Sequence, residues 1–125
     1  MSALVDTSIL IHYLRGHGST ADLSERQRSV GVLRVSELTR LEVLAGMRPS
    51  EEDQTRWLLS ALVWHPVDDE VAEEAGALGR RRLPSHSAID GADLAIAATT
   101  VLTGSELLTL NVRHFPMFAD LRRPY

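Results

Sequence analysis

Three acids stand in this sequence where acids are costly. Asp6 interrupts the apolar stretch LVDTSILIHYL at residues 4–14, and a carboxylate there needs a partner to replace the water it loses. Glu42 lies at the margin of an apolar stripe that Leu38, Leu41, Leu44 and Ala45 form on a helical wheel. Asp93 precedes LAIAATTVL, a segment small and apolar nearly all round, as suits a helix packed closely on a sheet. Each acid has a plainer role to weigh. Glu42 could be a solvated helix-edge glutamate or the partner of an arginine. Asp93 could simply favour a helix N-terminus, an effect of about 0.3–1 kcal/mol. Asp90, three residues earlier, is a good N-cap and is read as a cap or a supporting acid. Asn111, in LLTLNVRHF, offers a neutral oxygen and two N–H donors, although a turn is its commonest place. Asp6, Glu42 and Asp93 have no lysine or arginine among them. If they converge they repel, and their natural partner is a divalent cation. An oxygen-only ligand set suits Mg²⁺ or Mn²⁺ rather than zinc.

Convergence requires a particular scaffold, and the pattern of the chain supplies one. Residues 2–5 read as a short strand covered on both faces. Thr7 or Ser8 is placed to cap a helix over Ile9–Arg15, with Gly16 at its end. A second strand is expected at 30–35, VGVLRV up to its final valine, followed by a helix that Ser36 caps and that runs to about Met47. PSEEDQTRWLLSAL carries acids in its first turn, as helices prefer. VWHPV at 63–67 reads as a third strand, DDEVAEEAGALGRRR as an amphipathic helix, DGADLAIAATTVLTG as a helix ending at Gly104, and ELLTL at 106–110 as a fourth strand. Strands alternating with helices predict an α/β fold with a mainly parallel sheet covered on both faces. In such sheets, ligands sit beyond the carboxyl ends of the strands. Asp6, Thr109 and Asn111 belong to that edge, and the helices bearing Glu42 and Asp93 start from it.

Composition narrows the classes. The 125 residues, 44% hydrophobic and 24% charged, fit one compact domain, expected to be 1–125. No cysteine is present, which excludes disulfides, zinc–thiolate sites and thiol nucleophiles and agrees with a reducing cytoplasm. No apolar run approaches membrane-spanning length and no signal peptide is expected. The net charge of −4 counts against a non-specific DNA coat. It does not count against a nuclease, whose clustered acids are offset by metal. The five histidines form no H-E-x-x-H signature, and no G-x-S-x-G, Walker A or dinucleotide fingerprint occurs. His12 is read as structural.

Four segments, LVDTSILIHYL, VSELTRLEVLAG, DLAIAATTVLTG and LLTLNVRHF, in this order in so short a chain, resemble the PIN-domain ribonucleases, specifically the VapC toxins of toxin–antitoxin pairs. The resemblance implies a three-layer α/β/α sandwich and metal-dependent hydrolysis of RNA phosphodiester bonds, with Mg²⁺ (or Mn²⁺) as cofactor. It matches Asp6, Glu42 and Asp93 to the family's principal acids and metal ligands, and Asn111 to its fourth catalytic position. Thr7 follows the first acid in the usual D-T-S arrangement; with Asp90 and Thr109 it is placed to orient the ligands. His114 stands where many relatives carry an acid, a departure from the pattern. The partners implied are RNA, a VapB-type antitoxin lying over the site, a second copy of the chain in a homodimer, and the toxin–antitoxin hetero-oligomer; no membrane is implied.

An acidic centre that acts on RNA needs cations around it. Arg80, Arg81, Arg82, Arg113 and His114 are the expected backbone contacts, with Arg15 and His86 as further candidates. Arg80–Arg82 read equally well as a basic helix C-terminus. Trp57 and Trp64 are expected in the core or an interface rather than stacked on bases. Leu10, Tyr13, Leu58 and Leu59 are the candidate dimer contacts. Two competing readings remain. A haloacid-dehalogenase-like phosphatase wants D-x-D at the first strand end, and here the second acid is Ser8. A catalytically inactive PIN-like module that binds RNA or protein is the alternative to the enzyme.

Overall fold

A computed structural model describes residues 2–16, 18, 22, 25, 31–82 and 89–125, with the side chain of Arg82 excepted. Strand β1 is Ala3–Val5, α1 Thr7–Leu14, β2 Leu33–Ser36, α2 Glu37–Ala45 and α3 Glu52–Ser60. Then follow β3 at Val63–His65, α4 at Asp69–Arg82, α5 at Gly91–Thr103 and β4 at Glu106–Leu108. The sheet order is β3-β2-β1-β4 and every pairing is parallel. The first and last strands therefore lie side by side, with Ala3 opposite Glu106 and Val5 opposite Leu108.

Successive strand residues point to opposite faces, and the two cores follow that alternation. Ala3, Val5, Leu33 and Val35 pack with Ile9, Leu10, Val43, Leu58 and Leu59 from α1, α2 and α3. Leu4 and Leu107 pack on the other face with Val71 and Leu78 of α4, Ala95–Ala98 of α5 and Phe115. The result is the three-layer α/β/α sandwich expected from the pattern. Because all four strands run one way, their carboxyl ends share one edge, and the helices after β1 and β2 start there.

Local chemistry sets the boundaries. The Ser36 hydroxyl accepts from the Leu38 N–H at 3.1 Å, capping α2 as expected. Asp90 caps α5 by accepting from the Asp93 N–H at 2.9 Å, and Gly104 ends that helix in the left-handed region at φ 61°. Three expectations shift. The cap of α1 is Asp6 rather than Thr7 or Ser8, because the Ser8 hydroxyl turns back to the Asp6 carboxylate. Strand β2 starts at Leu33; residue 30 lies outside the described residues. Strand β4 stops at Leu108 rather than 110, because the next two free N–H groups bond side chains, Leu110 to Ser8 Oγ and Asn111 to Thr109 Oγ1. No helix among the described residues is long and apolar enough to cross a membrane.

Candidate functional site

At the shared carboxyl edge lies a cleft of about 370 Å³ whose walls include Asp6, Thr7, Ser8, Glu42, Asp90, Asp93 and Asn111. Asp6, the three matched acids' first member, comes directly after β1, and its backbone N–H still bonds Leu108 O at 2.9 Å, as though β1 continued. It is 4% exposed. It occupies the N-cap position of α1 without using its side chain as a cap. Instead, Asp6 Oδ2 accepts from Ser8 Oγ at 2.8 Å and from Thr109 Oγ1 at 2.7 Å. Thr109 is fully buried, so this hydroxyl is a fixed part of the floor. Two hydroxyl donors compensate the lost hydration that made Asp6 puzzling in the sequence.

Glu42 enters from the middle of α2 and is half-buried. Its Oε1 accepts from Thr7 Oγ1 at 2.6 Å, and Thr7 Oγ1 lies 3.1 Å from the buried Thr39 hydroxyl. No cation pairs with Glu42 among the described residues. The D-T-S segment thus serves two acids at once, with Thr7 holding Glu42 and Ser8 holding Asp6.

Asp93 sits in the first turn of α5 with its side chain 13% exposed. Its Oδ2 is enclosed and forms no hydrogen bond. His114 Nδ1 is 3.3 Å away, near enough for electrostatic attraction but outside hydrogen-bond geometry. Burial raises the Asp93 pKa from 3.8 to about 6; the charges of Asp90 and, less, Asp6 push the same way, against His114 and the backbone N–H of Asp90. Asn111 is exposed at the rim, and its backbone N–H is tied to Thr109.

The donor atoms facing the cleft are chiefly carboxylate and amide oxygens, the chemistry a hard dication takes, and Asp93 Oδ2 is an enclosed oxygen with an unfilled valence. In this arrangement no three His, Asp or Glu groups among the described residues already close on one point. The acids are gathered into one cleft, each held by its own partners.

The basic residues lie at different distances from the cleft. Among the described residues, His12 and His114 are the basic side chains that line the cleft. Arg80 and Arg81 are exposed at the end of α4 and Arg113 is exposed beside the rim; none forms its wall. The Arg82 side chain and His86 lie outside the described residues. His12, read from sequence as structural, is a wall residue, as an i, i+4 spacing from Ser8 on α1 would have suggested. Ser8 and Thr39 are the other residues whose roles the sequence hid. The candidate dimer contacts Leu10, Leu58 and Leu59 are core residues, because α1 and α3 turn those faces to the sheet. Tyr13 is only partly buried against the same core. Leu41 and Trp57 are instead the exposed apolar side chains on α2 and α3. Trp64 lies with its ring under the Arg40 guanidinium, 4.0 Å from its centroid, and its indole N–H bonds Leu59 O.

Comparison with known proteins places this arrangement in context. The PIN domain family model matches residues 3–121. Ribonuclease VapC19 of Mycobacterium tuberculosis is 45% identical over 123 residues, 98% of each chain. Ribonuclease VapC10 of the same organism is 38% identical over 122 residues, covering 98% of this chain and 92% of the relative. Among solved structures, a toxin–antitoxin complex from Klebsiella pneumoniae contains a chain that superposes with a TM-score of 0.83 at 28% identity, over 98% of both chains.

Proposed function

This chain belongs to the PIN domain family, in its VapC branch, and on that premise we propose that it is a divalent-metal-dependent endoribonuclease, the toxin of a toxin–antitoxin pair. The observation that carries the reading is the gathering of Asp6, Glu42 and Asp93, with Asn111, into one cleft at the carboxyl edge of the sheet. The relatives named as ribonucleases, matched along nearly their whole length, support the same activity.

Asp6, Glu42 and Asp93 would hold the cation, Mg²⁺ with Mn²⁺ as the alternative. When bound, such an ion supplies Lewis-acid activation of water and neutralises charge at the scissile phosphate. The chain's own residues do the rest. Ser8 and Thr109 fix the Asp6 carboxylate, and Thr7 fixes that of Glu42, so that neither must be ordered when substrate arrives. Asn111, neutral and exposed, offers amide N–H groups to a phosphate oxygen where a fourth carboxylate would repel it. Asp90 holds the first turn of α5, and with it Asp93, through the cap bond. Arg113 beside the rim, Arg80 and Arg81 outside the cleft, and Arg82 are assigned to the RNA backbone; such contacts position a strand without reading its sequence.

By the same reading the whole of 1–125 is one PIN domain that works in the cytoplasm. It pairs with a VapB-type antitoxin, as the Klebsiella complex suggests, and forms a homodimer within the hetero-oligomer. Exposed Leu41 and Trp57 are the apolar side chains on offer to such partners.

The test is cleavage of a pool of structured RNAs by antitoxin-free protein in Mg²⁺, Mn²⁺ or EDTA, beside Asp6→Ala. Cutting that needs metal and vanishes in the variant is expected. Intact RNA under every condition, from protein with native circular dichroism, would leave the inactive binding module standing in place of the enzyme.

A further inference from the structure

One contact in the cleft satisfies neither of its members. Asp93 Oδ2 is enclosed without a hydrogen bond, and His114 Nδ1 stands 3.3 Å from it. A charge-assisted N–H···O bond closes to about 2.7–2.9 Å, so this one is too long and misaligned to be the reason the two face each other. The position of His114 is set independently by the short 3₁₀ turn Val112–His114, whose last N–H bonds Asn111 O at 2.9 Å, and by buried Phe115 next to it.

The separation matches a different relationship. Around a six-coordinate dication, bonds of roughly 2.1 Å at right angles put neighbouring donor atoms roughly 3 Å apart. We propose that His114 Nδ1 and Asp93 Oδ2 are adjacent ligands of one cation, so that the centre has a nitrogen donor beside its carboxylates and favours transition-metal dications such as Mn²⁺ over Mg²⁺. This rests on the metal-dependent reading above and names a ligand which that reading does not contain. The preference follows from donor type: imidazole adds to the hold on transition metals, whereas Mg²⁺ draws its affinity from oxygen. His114 has the freedom the role needs. Its side chain is 44% exposed, so water can take the Nε2 proton while Nδ1 keeps its lone pair.

His12 is a second imidazole on the wall, and the experiment has to separate the two. Mn²⁺ binding to the metal-free chain is measured by calorimetry, and the bound ion is probed by electron spin-echo spectroscopy for coupling to ¹⁴N. The proteins are the natural chain, His114→Ala, His114→Gln (which keeps the bulk of the side chain) and His12→Ala, each checked for native circular dichroism. Histidine-type coupling is expected in the natural chain and in His12→Ala and is expected to be absent from both His114 variants. Their Mn²⁺ affinity should fall by at least the roughly 10-fold that loss of even an outer partner of a ligand produces, with Mg²⁺ affinity little changed. Bound Mn²⁺ without nitrogen coupling, coupling that survives in His114→Ala, or Mn²⁺ held as tightly or more tightly by that variant would overturn the assignment and leave the nuclease reading intact. Failure of the natural chain to bind Mn²⁺ or Mg²⁺ at all would overturn both.

Discussion

Asp6 and Asp93 face the same cleft with the same functional group, and the protein treats them in opposite ways. Asp6 is the more deeply buried, yet it is satisfied, with two hydroxyls on one oxygen and a sheet hydrogen bond on its own N–H. Asp93 keeps an enclosed oxygen unbonded and a pKa raised to about 6. For Asp93 burial raises the pKa, and no donor to Oδ2 offsets it. One corner of the cleft is bonded within the protein, and the other keeps a buried oxygen that accepts no hydrogen bond. Natural sequences break the rule that buried polar groups are paired chiefly where function requires it.

That contrast can be broken from either side. Among variants that leave all three acids in place, the largest effect is expected from Thr109→Val, which keeps the shape of a fully buried residue and removes a hydroxyl that fixes Asp6. Metal affinity and cleavage rate should drop roughly 10–100-fold, as when outer partners of metal ligands are lost. A rate within two-fold of the natural chain, with folding intact, would mean that the Asp6 corner needs no prior ordering.

On the other side, Asp93→Asn should remove activity yet stabilise the metal-free fold. The sign follows from linkage. The folded-state pKa is raised, so the native chain holds a proton that the unfolded chain has already released between pH 4 and about 6. Metal-free stability therefore falls as pH rises through that window and is flat above it, the accumulated loss being on the order of 2–3 kcal/mol. Urea midpoints taken from pH 4 to pH 8 in EDTA should show the decline for the natural chain and a shallower one for Asp93→Asn. Parallel profiles would place the strain elsewhere.

The smallest effect is assigned to Ser8→Ala. It removes one of the two hydroxyls on Asp6 and the acceptor of the Leu110 N–H. Because Thr109 still holds the carboxylate, the expected loss is about 1–2 kcal/mol in thermal or urea unfolding. A change as large in activity as that of Thr109→Val would show the two hydroxyls to be equivalent.

What the sequence disclosed follows the same division. Local signals carried far: the Ser36 and Asp90 caps, Gly104 and the alternation of elements each rest on residues within a few positions of one another, and the structure has them there. The stripe expected beside Glu42 is not the buried face of α2: Leu41 at its centre and Ala45 are exposed, and Thr39 and Val43 are the buried residues. The partner of Glu42 was not visible either, because Thr7 lies 35 residues away in the chain. The bond between Asp6 and Thr109 spans 103 residues, and no spacing rule reaches that far. Leu58 and Leu59 were misplaced for a related reason: a helix presents an apolar stripe, and which neighbour covers it is a tertiary fact. Next to them, Trp57, expected in the core or an interface, is left exposed on the same helix.

The pairing of β1 with β4 also governs when the cleft comes into being. Asp6 leaves the ribosome 103 residues before Thr109. At about 5–20 residues per second, those 103 residues take roughly 5–20 s to make. Throughout nearly all of that interval the first acid has no floor beneath it, and the edge of β1 has no neighbour on that side. The long-range closure that slows such folds thus delays the cleft until β4 and Thr109 have been made.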